Sequence, residues 1–226
     1  MKNKLLSILL LITTTVFIIS LSIFLPLANR RFYYGQIDKL HIVDDLNTFT
    51  GKDYTKEDVI EAFDDVMDFI WKGTEFKTGK LKYSEDGKSH FEDCVPLFKL
   101  DLIVMIVSSA ILVTLLVLYL LKLWNVHDFF GYSPLFYGGI LSLLLVMVIG
   151  VFGIINFNKL FDVFHKVFFP GKSNWQFDPT RDEVIMILPQ DFFMNCAILM
   201  GAGLLTLSIL SIVYGILKRY KFHKLI

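Results

Sequence analysis

The sequence predicts an all-α membrane protein in which four transmembrane helices carry a small extracellular cap. Two observations support this fold class. Hydrophobic residues make up 54% of the 226 residues and charged residues only 19%, whereas a soluble domain contains about 45–50% apolar residues. In addition, four separate segments stay apolar over the roughly 20 residues that a helix needs to cross a bilayer.

The predicted organisation has eight parts along the chain. These are a first transmembrane helix over residues 1–27, an extracellular cap over 28–100, a second helix over 101–122, a cytoplasmic loop over 123–133, a third helix over 134–156, an extracellular loop over 157–191, a fourth helix over 192–217 and a cytoplasmic tail over 218–226. The first segment has no charge from Leu5 to Leu27. Because a cleaved signal peptide has a shorter core of about 7–15 residues, we expect this helix to be retained.

Basic residues predict that both termini lie in the cytoplasm. Short segments on one side of the four spans contain Lys2, Lys4, Lys122, Lys218, Arg219, Lys221 and Lys224, and cytoplasmic segments accumulate such residues. Arg30 and Arg31 oppose this orientation, but they begin a long segment, and long translocated segments weigh little in the rule. We therefore expect a multi-pass protein of the cell membrane whose functional site is at the outer face.

The predicted cap contains one clear amphipathic helix, between Thr55 and Trp71. Its apolar residues recur at helical spacing and are Val59, Ile60, Phe63, Val66, Met67 and Ile70. Thr55 and Asp58 have the spacing of a capping box, and Gly73 is a suitable C-terminal stop. We expect the acidic face of this helix to be solvated. Between Phe76 and Lys82, weak alternation leaves a short strand pair open.

Residues 164–193 combine a histidine, carboxylates and many aromatic rings between two apolar segments. A simple connecting loop is usually small and polar, because it must solvate its own backbone. We expect His165 on a helical continuation of the third span, beside the apolar residues Phe161 and Phe169 one turn away. Asp162 precedes it by three residues and could hold one ring nitrogen, which would fix the tautomer.

A second histidine, His90, lies just before the second span. Ser89 and Glu92 have the spacing of a capping box, which places His90 in the first turn of a helix. The positive end of the helix dipole disfavours imidazolium there and keeps the ring neutral. We expect Pro96 to kink or restart this helix. Both histidines are then predicted at the outer membrane surface, on segments contiguous with neighbouring spans.

The same histidines could serve other chemistries, which the sequence favours less. Haem ligands in a helical bundle would lie on facing spans within the apolar core, and neither His90 nor His165 does. A zinc site would need a further ligand from among Asp93, Asp178 and Asp182. We therefore expect no metal and no other cofactor. Because the formal net charge is zero, we also expect no nucleic-acid partner.

The two cysteines, Cys94 and Cys196, form neither a disulfide framework nor a metal-binding spacing. Both are predicted on the extracellular side, so a bridge between them stays open, although such cysteines commonly act as small apolar side chains. Cys94 also lies one helical turn from His90, where a thiol nucleophile is conceivable.

Several motifs accompany the four spans: FH-x-VFFP from Phe164, NWQFDP from Asn174, D-x-VIMILP-x-DFF from Asp182 and S-x-x-x-x-SH ending at His90. Together they resemble the lipoprotein intramolecular transacylase family of Gram-positive bacteria. The resemblance implies four membrane helices under an extracellular cap, with two catalytic histidines that map onto His90 and His165. It also implies an acyltransferase that moves an acyl chain from the glyceryl sn-2 ester to the amino group of the lipidated N-terminal cysteine, giving the lyso form.

The residues fit the chemistry that the resemblance implies. The substrate amine, with a pKa of about 7.7–8.0, must lose a proton, and a neutral histidine with a pKa near 6.5 can accept it. We expect His165 to be this base, because Asp162 could orient it, and His90 to stabilise the oxyanion or protonate the departing oxygen. The predicted substrate-binding residues are Trp175, Phe168, Tyr33, Phe192 and Asp178.

The predicted partners are a diacylglyceryl lipoprotein and membrane lipid, for a chain that we expect to act as a monomer. The alternative is a non-catalytic membrane protein whose cap binds lipoproteins or peptides, with its aromatic residues as an interfacial anchor. The chain departs from the family pattern at Phe91 and at Cys94 with Val95, where the pattern has Met and a Val-Lys pair. We therefore expect Cys94 to be an apolar filler.

Overall fold

The computed structural model describes residues 1–223 of the chain, and these residues are almost entirely helical. Eight α-helices follow one another: α1 (Lys2–Leu27), α2 (Arg30–Ile37), α3 (Ile42–Thr50), α4 (Lys56–Lys72), α5 (Glu85–Leu120), α6 (Pro134–Ile155), α7 (Phe157–Phe168) and α8 (Gln190–His223). A 3₁₀ helix, Glu183–Ile187, precedes α8. Within residues 1–223 the only β pairing is an isolated bridge between Phe129 and Tyr132. Residues 224–226, the end of the predicted cytoplasmic tail, lie outside the described residues.

Four of these helices, α1, α5, α6 and α8, are long and apolar enough to cross a membrane. The prediction of an all-α protein with four transmembrane helices is therefore confirmed, and the chain is a multi-pass membrane protein. The sequence predicts α7 as a continuation of the third span, but the structure shows it as a separate helix. Asn156 interrupts the helix after Ile155, and its side chain caps α7 by accepting a hydrogen bond from the Lys159 N–H at 2.9 Å.

The chain divides into two compact units. We call them the span unit, which contains Met1–Leu25, Asp101–Ile155 and the chain from Leu199 onward, and the cap unit, which contains Pro26–Leu100 and Asn156–Ile198. The first part of α5, residues 85–100, belongs to the cap unit and carries most of the charges of this helix. Its apolar remainder is the membrane-spanning part.

Small residues allow the helices of the span unit to approach closely. A Cβ atom on Gly139 would lie 2.7 Å from the Ser208 carbonyl oxygen, and one on Gly138 would lie 3.0 Å from the Thr14 side chain. The Ser211 hydroxyl donates a hydrogen bond to the Leu135 carbonyl at 2.7 Å. Lipid is as apolar as leucine, so membrane helices associate through such close packing and interhelical hydrogen bonds rather than through hydrophobic burial.

In the cap unit, α4 forms as the sequence predicts. Thr55 and Asp58 make both hydrogen bonds of the capping box, and Gly73 ends the helix with a positive φ of 69°. The acidic face is not simply solvated, because Arg30 donates hydrogen bonds to both Asp64 and Asp68. This face therefore holds α2 against α4.

The strand pair left open near Phe76 does not form. The Thr78 hydroxyl instead donates to the Leu81 carbonyl at 2.7 Å and closes a turn. Gly79 within this turn has a positive φ of 52°, and its N–H donates to the Asp65 carboxylate at 2.9 Å. A left-handed residue bonded to a neighbouring helix cannot continue a strand ladder, which explains why the weak alternation was misleading.

Two neighbouring carboxylates connect the 3₁₀ helix to the segment before α5. Glu183 is buried and accepts hydrogen bonds from Lys52 at 2.7 Å, the Tyr54 hydroxyl at 2.7 Å and the Lys82 N–H at 3.0 Å. Asp182 accepts hydrogen bonds from the Ser84 N–H at 2.6 Å and the Ser84 hydroxyl at 3.0 Å. These bonds fix where α5 begins relative to the aromatic segment that precedes α8.

Candidate active site

The structure brings His90 and His165 together within the cap unit. His90 lies on α5 and His165 on α7, and their ring centroids are 5.7 Å apart with an interplanar angle of 37°. Both residues are buried, with exposed fractions of 7% and 6%. Two histidines this close, removed from water and separated by 75 positions in the sequence, are positioned to contact one small group between them.

His90 lies one turn further into its helix than the sequence predicts. The capping box at Ser89 and Glu92 is wrong, because α5 begins at Glu85. Ser84 takes the capping role, and its hydroxyl oxygen accepts a hydrogen bond from the Gly87 N–H at 3.1 Å. The physical reason is tertiary, since Asp182 holds Ser84 in place from 98 positions away.

Helix α5 also continues through Pro96 from Glu85 to Leu120, so the predicted restart at this proline does not occur. Its carboxyl-terminal part is one of the four candidate membrane spans. His90 is therefore carried by the same uninterrupted helix as a candidate membrane span.

Aromatic rings and one thiol surround His90. Phe169 and Phe177 present edge-on contacts, with centroid distances of 4.9 and 5.5 Å. The Nε2 atom lies 3.6 Å from the Cys94 Sγ atom, one helical turn away. The Nδ1 atom is buried and has no hydrogen-bond partner among the described residues. A buried polar atom without a partner costs free energy, and such atoms in folded proteins mark a site that a ligand or water completes.

Burial lowers the pKa of His90 to about 4, and the positive charge of a protonated His165 would contribute to the same shift. Burial disfavours the charged imidazolium because a low-dielectric site solvates charge poorly. The helix dipole invoked from the sequence is therefore not the main cause of neutrality. The outcome is the same, however, and the ring is neutral near pH 7.

One hydrogen bond orients His165. Its Nδ1 atom lies 2.8 Å from the Phe161 carbonyl oxygen, which can only accept. Nδ1 therefore carries the proton and Nε2 presents a lone pair. This corrects the expectation that Asp162 would orient the ring, because the carbonyl one turn back occupies that nitrogen. Burial lowers the pKa of His165, and the Phe161 bond and the Asp162 charge oppose this shift.

Two rings hold the plane of His165. The Trp175 ring stacks on the imidazole at 4.7 Å with an interplanar angle of 24°, and the Phe161 ring lies at 4.2 Å. The Trp175 indole N–H donates to the Lys172 carbonyl at 3.1 Å, which orients the indole. Of the predicted substrate-binding residues, Trp175 is the one that the structure places directly against a histidine.

A polar network joins the loop after α7 to α5. Asp93 accepts hydrogen bonds from Lys172 and, at 2.9 Å, from the Asn174 amide. Burial alone would raise the pKa of Asp93, but the bonds from Lys172 and Asn174 lower it. Asn174 also donates to the Ser89 hydroxyl at 3.3 Å, whereas its Oδ1 atom is buried without a partner among the described residues. This network fastens the Trp175 loop beside His90.

Tyr33 and Phe192 belong to a different cluster from the histidines. Tyr33 stacks on Phe63, makes an edge contact with Phe192 at 5.2 Å, and donates a hydrogen bond to the Ile187 carbonyl at 2.7 Å. Both rings therefore pack inside the cap unit without contacting His90 or His165, and their contact with substrate stays a prediction.

Phe168 does not contact either histidine ring directly, but the Phe164 ring that it contacts lies 5.4 Å from the His165 ring. It is half exposed and contacts Phe164 at 4.7 Å. Asp178 accepts hydrogen bonds from Thr180 and lines a polar cavity of about 340 Å³. Asn174 and Phe177 line the same cavity, so it adjoins the surroundings of the histidines.

Residues around the histidines that were not among the predicted site residues include Phe161, Phe169, Phe177, Lys172 and Asn174, although the sequence predicted Phe161 and Phe169 beside His165. The density of aromatic residues after position 164 was the available signal for Phe169 and Phe177. The bonds from Lys172 and Asn174 to Asp93 join positions 79 and 81 apart in the sequence, and local periodicity contains no information about such pairs.

The sequence left open a disulfide between the two cysteines and a zinc site with a carboxylate ligand. Cys94 and Cys196 are both free, and no disulfide joins them. Among the side chains that the structure describes, those of residues 1–220, no three His, Cys, Asp or Glu residues converge in a way that could hold a metal ion.

Comparisons with known proteins match almost the whole chain. Residues 8–193 match the family model of the lipoprotein intramolecular transacylase Lit. The in meso structure of the membrane integral lipoprotein intramolecular transacylase Lit from Bacillus cereus is similar with a TM-score of 0.83 and 26% identity, covering 99% of this chain and 97% of that chain.

Two further proteins are similar to this chain. A variant of the Bacillus cereus protein in which a histidine is replaced by arginine shares the fold, with a TM-score of 0.76 and 24% identity over 99% of this chain and 94% of that chain. An uncharacterized protein from Aquifex aeolicus (strain VF5) is 29% identical over 147 residues, which are 65% of this chain and 59% of that protein. By its sequence, its four spans and its overall fold, the chain belongs to the lipoprotein intramolecular transacylase family.

Proposed function

We propose that this protein transfers an acyl chain within one lipoprotein molecule, from the glyceryl sn-2 ester to the α-amino group of the N-terminal diacylglyceryl cysteine. The product is the lyso form, with the acyl chain on nitrogen. The observation that carries the proposal is the pair of buried, neutral imidazoles 5.7 Å apart. Aminolysis of an ester needs a base for the amine and a donor for the carbonyl oxygen, and a histidine pair can supply both.

His165 is the base in this proposal. Its Nδ1–H group donates to the Phe161 carbonyl, so the Nε2 lone pair is the free position of the ring. The substrate ammonium has a reference pKa of about 7.7–8.0, close enough to that of an imidazole for proton transfer near neutral pH. Stacking of Trp175 keeps the imidazole from rotating away from the amine.

His90 is the donor, and Cys94 sets its tautomer. Burial raises the pKa of the Cys94 thiol to about 12, so the thiol stays protonated and its S–H group donates to Nε2. The ring proton then sits on Nδ1, the buried atom that has no partner among the described residues. Nδ1–H donates to the ester carbonyl oxygen and stabilises the negative charge that develops there.

The reaction balances without a cofactor. The cysteine nitrogen forms a bond to the acyl carbon, and the bond from that carbon to the glyceryl oxygen breaks. The substrate ammonium first loses one proton, which His165 passes to solvent. The second proton, which His165 accepts from the nitrogen as it bonds to the acyl carbon, is returned to the glyceryl oxygen as it leaves. Because nucleophile and ester belong to one molecule, correct orientation contributes on the order of 7–11 kcal/mol to lowering the barrier. Trp175, Phe169 and Phe177 form the rigid walls that favour this orientation.

The site faces the outer side of the membrane in this proposal, and both termini lie in the cytoplasm. The distribution of basic residues around the four spans supports this orientation. A diacylglyceryl lipoprotein is exposed on that side and enters with its acyl chains still in the bilayer. The enzyme acts as a monomer, since both histidines come from one chain.

Mass spectrometry of one lipopeptide tests the proposed function. The purified protein is incubated with a synthetic diacylglyceryl lipopeptide, and fragmentation locates the acyl chain on oxygen or on nitrogen. We expect conversion to the N-acyl lyso product by the wild type, and a rate lower by about 10²-fold or more for His90→Ala and for His165→Ala. Binding of the lipopeptide without conversion would instead support a non-catalytic lipoprotein-binding protein. Full activity of both variants would refute the roles proposed for the two histidines.

A further inference from the structure

Helix α7 has an apolar face that no other part of the described chain covers. Val163, Phe164, Val167 and Phe168 are between 46% and 65% exposed. Residues at these spacings lie on one side of a helix, where 3.6 residues complete a turn. His165 and Phe169 lie further round the same helix and are buried. The exposed apolar face and the buried face with the candidate base thus lie on the same helix, and they meet where the Phe164 ring contacts the His165 ring edge-on at 5.4 Å.

The position of α7 in the chain indicates what covers this face. Only Asn156 separates it from the end of α6 at Ile155, and α6 has the length and composition of a membrane span. A helix that starts one residue beyond a span starts where the chain leaves the hydrocarbon. Asn156 lies between the two helices and caps the first turn of α7, so α7 is a separate helix and its axis need not be parallel to that of α6.

Charged residues beside this face fit lipid headgroups. Lys159 and Lys166 are exposed on α7, and at 100° per residue both lie at the edge of the apolar face next to Val163. Lysine can lay its apolar stem along such a surface and keep its ammonium group among phosphates. An amphipathic helix with this pattern lies in the plane of the membrane interface, with its apolar side buried about 5–10 Å.

We propose that α7 lies in the outer interface of the bilayer with Val163, Phe164, Val167 and Phe168 in lipid, and that this contact sets the depth of His165. The inference rests on the proposed function, because depth matters only for a substrate that stays in the membrane. The sn-2 ester of such a substrate lies at the boundary between headgroups and hydrocarbon. A helix anchored at that boundary holds its imidazole at the height of the ester.

Photocrosslinking in vesicles tests the contact with lipid directly. Benzoylphenylalanine is incorporated at Val167, and at Phe49 as a control, because Phe49 is exposed to a similar degree as Phe164 but lies on α3. In phosphatidylglycerol–phosphatidylcholine vesicles we expect a lipid adduct from position 167 and none from position 49. A protein–protein crosslink between two copies at position 167, or no lipid adduct there, would overturn the proposal.

A pair of variants tests whether the contact sets the working depth. Val163→Ser with Val167→Ser should lower the rate of N-acylation in vesicles by about tenfold, because two apolar side chains no longer bind lipid. The same variant should match the wild type on a short-chain substrate in detergent micelles, where depth has no meaning. Phe49→Ser should behave as the wild type in both. An equal loss in vesicles and micelles would refute the depth role, whereas failure of the wild type to make any N-acyl product would refute the proposed function itself.

Discussion

Replacing each histidine by an uncharged amide separates the donor role proposed for His90 from the base role proposed for His165. The side-chain N–H of asparagine occupies nearly the position of Nδ1–H in histidine, so His90→Asn keeps a donor at the atom that lacks a partner. Glutamine reaches the position of Nε2, but an amide is not a base. His165→Gln therefore fills the site without accepting the substrate proton.

The expected magnitudes follow from these roles. Loss of one oxyanion donor costs about 10²–10³ in rate, so His90→Ala should fall by that factor while His90→Asn stays within about tenfold of the wild type. Loss of a general base costs about 10²–10⁴, and both His165→Gln and His165→Ala should show it in full. The two positions then differ in whether an amide rescues activity.

Initial rates measured by mass spectrometry of the N-acyl product, near pH 8, provide the assay. Thermal unfolding of each variant in detergent controls for loss of packing, because both histidines are buried. An unreactive ether analogue of the substrate reports binding separately from turnover. If His90→Asn is as inactive as His90→Ala, or if His165→Gln retains substantial activity, the assignment of donor and base is wrong.

Three further predictions follow. Burial lowers the pKa of both histidines below 6.5, so both stay neutral as the pH falls from 8 to 6.5. Over this range the logarithm of kcat/KM should decline with pH with a slope of one, because only the substrate amine gains a proton. A slope of two above pH 6.5 would contradict this prediction. Cys94→Ser keeps a donor to the Nε2 atom of His90 and should retain activity. Cys94→Val removes this donor, so it should lower kcat with little change in KM and shift the ¹⁵N resonances of His90 toward the other tautomer. Unchanged resonances in Cys94→Val would refute the tautomer role. Glu183→Gln weakens three hydrogen bonds to a buried carboxylate and should lower the free energy of unfolding by about 1–3 kcal/mol. The exposed control Glu57→Gln should change the unfolding temperature little, and equal effects of the two variants would show that the Glu183 network is not stabilising.

The pH dependence of the Glu183 contribution has a defined sign. Burial would raise the pKa of this carboxyl, but the bonds from Lys52, Tyr54 and Lys82 lower it below its usual value. A carboxyl with a lowered pKa in the folded state stabilises the protein above its unfolded pKa of about 4.3, and this contribution is lost as pH falls through the folded value. The difference in stability between wild type and Glu183→Gln should therefore shrink below about pH 4.

Local patterns in the sequence predicted several elements correctly. The four spans and the helix between Thr55 and Gly73 follow from hydropathy, periodicity and capping residues that are close together in the chain. The start of α5 was predicted wrongly for a physical reason. Ser89 has suitable capping chemistry, but Asp182 binds Ser84 and makes the earlier serine the cap.

The sequence by itself determined the spans and the presence of two histidines near membrane segments, because hydrophobic length and helical period depend on neighbouring residues. Only the tertiary structure decided that the rings meet, that Phe161 rather than Asp162 orients His165, and that Tyr33 packs on Phe63. Ring distance, tautomer and burial depend on atoms far apart in the chain. They are set when separate helices pack together, and no local pattern of residues contains them.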